Sequence, residues 1–107
     1  MKYNDMVKTI ANGNKTQFER GEIIIKEMNR LSTDILDYRY AAERCSDDYG
    51  TVLKDRKNHI KKALVILKSD LDIYIEQLGL TEDVTKKATE RLDRLVERKW
   101  VYENKNR

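Results

Sequence analysis

The chain has 107 residues, of which 39% are hydrophobic and 38% charged, and its net charge is +3. No segment approaches the roughly 20 apolar residues of a membrane-spanning helix, and a chain of this length supports one hydrophobic core. Because proline is absent and apolar residues recur at helical spacing, we expect one helical domain over residues 1–107 that does not enter a membrane.

The first helix is predicted at about residues 3–11, with Met6, Val7 and Ile10 facing the core. The polar stretch 12–15 contains a glycine and an asparagine that tolerate the left-handed conformation common at helix ends. This stretch is therefore predicted to be a short linker.

The second helix is predicted to begin at Thr16 and to run to about residue 46. Thr16 and Glu19 form a capping box, in which the threonine hydroxyl accepts a hydrogen bond from the Glu19 amide. The apolar residues that follow alternate spacings of four and three, which predicts one seam facing another helix. The members of this seam are Ile24, Met28, Leu31, Ile35, Tyr38, Ala42, Cys45 and Tyr49.

A turn is predicted at residues 47–50, where small polar residues precede a glycine. The third helix then carries a second seam with the same spacing, consisting of Leu53, Ile60, Leu64, Leu67, Leu71, Tyr74 and Leu78. Gly79 is expected just past the end of that helix. Thr81 is expected to cap a fourth helix, which would present Ala88, Leu92, Leu95 and Tyr102 on one side.

At 1.5 Å per residue the second and third helices would be ~46 Å and ~42 Å long, whereas a compact chain of this size has a radius of gyration of about 13 Å. The predicted fold is therefore all-α: an elongated antiparallel bundle of two long helices, with a shorter N-terminal helix and a C-terminal helix. Such a bundle leaves apolar surface uncovered. The isoleucine triplet and two apolar residues off the seam predict a protein interface at Ile23, Ile25, Leu36 and Tyr40.

Residues that could support catalysis are few. His59 is the only histidine and is expected on the surface, and Cys45 is the only cysteine and is expected to be buried. Asp70 and Asp72 point about 200° apart on a helix, so we expect neither a carboxylate pair nor a magnesium site, and no cofactor motif occurs. We therefore expect no enzyme and no cofactor, and the cysteine usage and N-terminal sequence favour a cytoplasmic location.

Two rows of basic residues recur at helical spacing, one on the third helix and one on the fourth. Their members are Lys54, Lys61, Lys68, Lys87, Arg91, Arg94 and Arg98. Such rows can contact a phosphate backbone or an acidic protein face. Alternatively they are solvated helix faces, neutralised by nearby acids such as Asp83 and Glu90.

The stretch 75–102 contains a helix, a turn and a second helix in an order found in DNA-binding regulators. The residues that carry the pattern are Ile75, Leu78, Gly79, Leu92, Leu95 and the triplet Lys99-Trp100-Val101. The stretch resembles the helix-turn-helix and the entry to the wing of winged-helix regulators, with a longer gap between Gly79 and Leu92. This resemblance implies nucleic-acid binding.

Three functional hypotheses follow. The first is a non-enzymatic protein-interaction module, such as an adaptor, assembly factor or inhibitor of the kind found in phages and mobile elements, which would pair with itself and with another protein through an apolar helix face. The second is a nucleic-acid-binding regulator that uses the basic rows. The third is an oligomer with a basic pocket between subunits for an anionic small molecule.

Overall fold

The computed structural model describes the backbone of residues 1–44 and 49–105, and the side chains of residues 1–44 and 51–100. The described part of the chain contains no strand and four α-helices: α1 Tyr3–Ala11, α2 Gln17–Arg44, α3 Tyr49–Gln77 and α4 Thr81–Lys105. The predicted all-α fold, with two long helices, a short N-terminal helix and a C-terminal helix, is confirmed. The predictions for Cys45, for residues 47–48 of the turn and for the side chains of Tyr49 and Tyr102 lie outside the described residues.

Local sequence signals set several of the helix ends. The Glu19 amide donates a hydrogen bond to Thr16 Oγ1 at 3.1 Å, as the predicted cap requires. Gly79 has a φ of 71°, and the Leu80 amide donates to the Ile75 carbonyl at 3.0 Å. This is the Schellman arrangement that ends a helix at a left-handed glycine.

Two predicted boundaries are corrected. Tyr49 and Gly50 belong to the first turn of α3 rather than to a turn between helices. Thr81 lies inside the first turn of α4, and its hydroxyl donates to the Glu76 carboxylate at the end of α3. The threonine therefore links α4 to α3 instead of capping α4.

The long helices α2 and α3 pack as an antiparallel hairpin. Gly21, near the start of α2, lies against the Tyr74 ring near the end of α3. Ile23, further along α2, lines a small cavity together with Asp70, which comes earlier in α3. Because residue numbers rise on one helix as they fall on the other, the two helices run in opposite directions.

The buried face of α2 departs from the predicted seam at every second position, and the buried face of α3 departs from its predicted seam at one position within the helix. Met28 and Ile35 are each 48% exposed, and Glu27 and Asp34 are partly buried in their place. On α3 the same shift buries Ala63, which is 3% exposed, and leaves the neighbouring leucine exposed. Half of the described seam residues of α2 are therefore exposed, whereas on α3 only Leu64 and Leu78 are exposed and the rest of the predicted seam is buried or half-buried.

The short helix α1 packs against the C-terminal half of α3. Val7 and Ala11 form a buried cluster with Ile73. Met6 and Ile10 were predicted to face the core together with Val7, but both are exposed. The buried face of α1 is thus narrower than its apolar sequence suggested.

Helix α4 touches α3 only sparsely, and its apolar residues Leu92, Leu95 and Val96 are exposed. Residues 99–101 are helical, so the wing entry implied by the winged-helix resemblance is wrong. The radius of gyration is 18.4 Å, against about 13 Å for a compact chain of this length, and the extents are 49 × 40 × 26 Å. The chain is therefore elongated.

Candidate interaction surfaces

An exposed row of apolar side chains follows the outer side and one flank of α2. We call this row the outer stripe; its members are Phe18, Ile25, Met28, Ile35 and Leu36. Phe18 is 76% exposed and Ile25 is 56% exposed. The stripe extends over 18 residue steps, or ~27 Å of helix. Contiguous exposed apolar surface of this kind marks sites of association.

The structure places three of the four predicted interface residues on the surface. Ile25 and Leu36 lie in the outer stripe, and Tyr40 is exposed further along α2, where the Arg44 guanidinium lies 5.0 Å from its ring centroid. Ile23 is half-buried and lines a small cavity on the α3 side, next to Asp70. Ile23 therefore belongs to the hairpin rather than to the outer surface.

A groove of about 600 Å³ separates α1 from α4, with α3 as its floor. Apolar side chains from all three helices line it, among them Val7, Ile75 and Val84. The charged residues at the groove are of both signs, with Lys8 on one helix and Glu76 on another. Within one chain this groove is therefore not a basic pocket for an anion.

The basic row on α3 is partly engaged inside the chain. Lys54 and Lys61 are exposed, but Lys68 Nζ lies 2.9 Å from Asp72 Oδ2 and 4.9 Å from the centroid of the Tyr3 ring. The hydrogen bond to Asp72 and its negative charge raise the pKa of Lys68. Lys68 thus helps to hold α1 against α3 and offers less to a ligand than the sequence suggested.

The basic row on α4 is exposed along the helix and consists of Lys87, Arg91, Arg94 and Arg98. Lys87 Nζ lies 3.8 Å from a carboxylate oxygen of Glu90. Asp93 and Glu97 are also exposed on this helix. Basic and acidic residues therefore alternate along α4, and the positive charge is locally offset.

The sequence analysis missed a set of polar side chains between α2 and α3. We call this set the polar layer; its members are Arg20, Glu27, Asp34, Asp70 and Gln77. The signal was present in the sequence, because the first three recur every seven residues, as do the last two. Asp70 faces Glu27 on α2, whereas Asp72 accepts a hydrogen bond from Tyr3 on α1. The carboxyl pair that we did not expect thus forms between two helices rather than within one.

His59 is half-buried, with Nε2 3.9 Å from a carboxylate oxygen of Asp55 one turn earlier. Within residues 1–44 and 49–105, no group of three or more His, Cys, Asp or Glu side chains is arranged to hold a metal ion. None of the helices in the described part of the chain combines the length and the apolar composition needed to cross a membrane.

Comparisons with protein families, with curated proteins and with solved structures found no match to this chain.

Proposed function

We propose that this chain is a non-enzymatic protein-interaction module that pairs with a second copy of itself through the outer stripe of α2. The main support is the large solvent-accessible surface area of the chain. The accessible surface is 9063 Å², whereas a compact monomer of this mass exposes about 6,200 Å². The excess, about 2,900 Å², is more than three times the roughly 800 Å² that each partner buries in a stable dimer.

A second copy is the occupant that fits the outer stripe best. Dimers with twofold symmetry bring the same surface of both subunits together, and one long helix can pack along another of equal length. In an antiparallel pairing, Phe18 at one end of the stripe lies near Leu36 of the second copy, and Ile25 lies near the symmetry axis. An adaptor, assembly factor or inhibitor would use such a dimer to present its remaining surface to another protein.

Sedimentation equilibrium over a hundredfold range of concentration tests the proposal. We expect the wild type to dimerise and Ile25→Glu to weaken the dimer by tenfold or more, because each dimer would bury two unpaired carboxylates. Thr33→Glu is the matched control, since it introduces the same charge on the same helix outside the stripe, about 80° around the helix from Ile25 and about 60° from the nearest stripe members. Both variants should keep the helical circular dichroism of the wild type, because both positions are exposed.

A wild type that stays monomeric over the whole range would contradict the proposal. So would an Ile25→Glu variant that dimerises as strongly as Thr33→Glu.

Nucleic-acid binding is the second candidate function, and the exposed row Arg91, Arg94 and Arg98 on α4 is the observation that favours it. The acids on α4 and the engagement of Lys68 with Asp72 favour the interaction module instead. Phosphate contacts would make binding strongly dependent on salt, which gives a direct test.

A further inference from the structure

The polar layer contains buried atoms whose hydrogen bonds are not satisfied. Within the described residues, Arg20 Nε, Glu27 Oε2, Asp34 Oδ2 and Gln77 Oε1 are buried without a partner. Arg20 is only 9% exposed, and one of its terminal nitrogens donates to the Ile10 carbonyl at 2.8 Å. Because buried polar atoms are normally paired, this layer requires a proton or a bound water that completes it.

Glu27 and Asp70 can complete their contact by sharing one proton. Two ionised carboxylates are acceptors only, whereas a protonated carboxyl has an O–H that can donate to its neighbour. Burial, followed by the hydrogen bond to Asp70 and its negative charge, raises the pKa of Glu27 to about 7. The proton therefore resides on Glu27 below neutral pH and is lost above it.

Three other charged groups belong to this part of the hairpin: Arg20, Lys15 and Asp34. Arg20 lies two turns before Glu27 on α2, and Lys15, from the segment between α1 and α2, lines a cavity of about 100 Å³ together with Arg20, Ile23 and Asp70. Asp34 follows Glu27 by seven residues and adds negative charge on the same face. The two cations thus line the cavity beside Asp70, while Asp34 continues the polar layer two turns beyond Glu27.

We propose that the α2–α3 hairpin is a pH-sensitive element, in which a proton shared by Glu27 and Asp70 holds the middle of the two helices together and its loss above neutrality loosens them. When both groups are ionised, two negative charges face each other in a partly buried interface and neither can donate. The inner face of α2 carries this contact. Phe18, Ile25 and Leu36 of the outer stripe lie about 160–180° from Glu27 around the helix, whereas Met28 and Ile35 lie about 80–100° from it.

Urea unfolding followed by circular dichroism between pH 5.5 and 8.5 tests this proposal. A carboxyl whose pKa is higher in the folded state stabilises the fold at low pH, and this stabilisation disappears as pH rises through the folded pKa. With a pKa of about 7 for Glu27, the folding equilibrium constant of the wild type should fall as pH rises over this range, by about tenfold once solvent screening of this half-buried carboxyl is included.

Glu27→Gln keeps a donor at this position at every pH, so its unfolding midpoint should stay nearly constant. Glu43→Gln is the matched control, because Glu43 is an exposed carboxylate on the same helix that pairs with Arg39 at 3.0 Å. This control should show the pH dependence of the wild type. Measurements at two protein concentrations separate the pH response from self-association.

The proposal is overturned if the wild-type midpoint does not change with pH, or if Glu27→Gln follows the same curve as Glu43→Gln. A ¹³C NMR titration of the Glu27 side-chain carboxyl gives an independent readout that does not depend on unfolding. A midpoint near pH 7 supports the proposal, and a midpoint near 4.5, the ordinary value for glutamate, contradicts it.

Discussion

Alanine substitutions at two glycines are expected to change stability in opposite directions. Gly21 lies in the second turn of α2, where glycine is less favourable than alanine by about 0.5–1 kcal/mol. A Cβ at this position would lie 3.5 Å from the Tyr74 hydroxyl oxygen and 3.8 Å from Cζ, which is ordinary van der Waals contact. We therefore expect Gly21→Ala to raise the free energy of unfolding by about 0.5–1 kcal/mol.

Gly79 lies in the turn between α3 and α4 and has a φ of 71°. A residue with a Cβ loses about 1–2 kcal/mol in this conformation, and restriction of the unfolded chain returns about 0.4–1 kcal/mol. No atom lies within 4 Å of the Cβ that alanine would add, so the backbone conformation alone decides the result. We expect Gly79→Ala to lower the free energy of unfolding by about 0.5–1 kcal/mol.

Urea unfolding at one pH and one protein concentration measures both effects. With a slope of about 1–3 kcal/mol per molar urea, each variant should move the midpoint by about 0.2–1 M without changing the slope. If Gly21→Ala is destabilised, α2 does not lie beside Tyr74 as described. If Gly79→Ala is stabilised, α3 does not end at this glycine, and the direction in which α4 leaves the hairpin is wrong.

Two further experiments test the docking of α1 and the basic rows. The Tyr3 hydroxyl donates a hydrogen bond to Asp72 at 2.5 Å, so Tyr3→Phe should lower the free energy of unfolding by about 0.5–1.5 kcal/mol and speed amide hydrogen exchange in α1. Unchanged exchange would mean that this hydrogen bond does not hold α1 against α3. Although burial opposes the shift, hydrogen bonds from Tyr3 and Lys68 lower the pKa of Asp72. The stabilisation from these bonds is therefore present above the usual pKa of an aspartate and is lost as pH falls through the folded pKa. The free energy of unfolding of Tyr3→Phe should accordingly fall less in acid than that of the wild type. In fluorescence anisotropy with random duplex we expect feeble binding at physiological salt, whereas contact with about six phosphates would give a slope of log K against log salt of roughly −5. Tight binding would favour a nucleic-acid binder over an interaction module if the double variant Arg91→Ala plus Arg94→Ala reduced both the affinity and the magnitude of the slope.

The helix boundaries were largely predictable because they depend on short-range chemistry. The predicted bounds of α1 match the structure, and the Thr16 cap and the left-handed Gly79 are where the sequence places them. A cap or a left-handed glycine acts within one helical turn, so a few adjacent residues contain the information. Thr81 was misassigned because its hydroxyl bonds to Glu76, on the preceding helix.

The face that each long helix buries was not predictable in the same way. Helix α2 has apolar residues on two adjacent faces, and apolar periodicity favours the one that contains Met28 and Ile35. The structure buries the neighbouring face with Glu27 and Asp34 instead. A buried carboxyl is tolerated only where a partner is present, and the partner, Asp70, lies more than forty residues away in the sequence. One helix alone therefore does not reveal which of its faces is internal.

The polar layer also accounts for the alignment of α2 against α3. Apolar seams with a seven-residue repeat change little when one helix slides by seven residues, so they specify the alignment weakly. A slide of that size would place Glu27 opposite Ala63 in one direction and opposite Gln77 in the other. Opposite Ala63, the buried Glu27 carboxyl would have no partner. Opposite Gln77, Glu27 would be separated from Asp70, the carboxylate with which we propose that it shares a proton. Polar residues at internal positions of paired helices specify register at a cost in stability. The contact that makes the hairpin sensitive to pH is thus the same contact that selects its alignment.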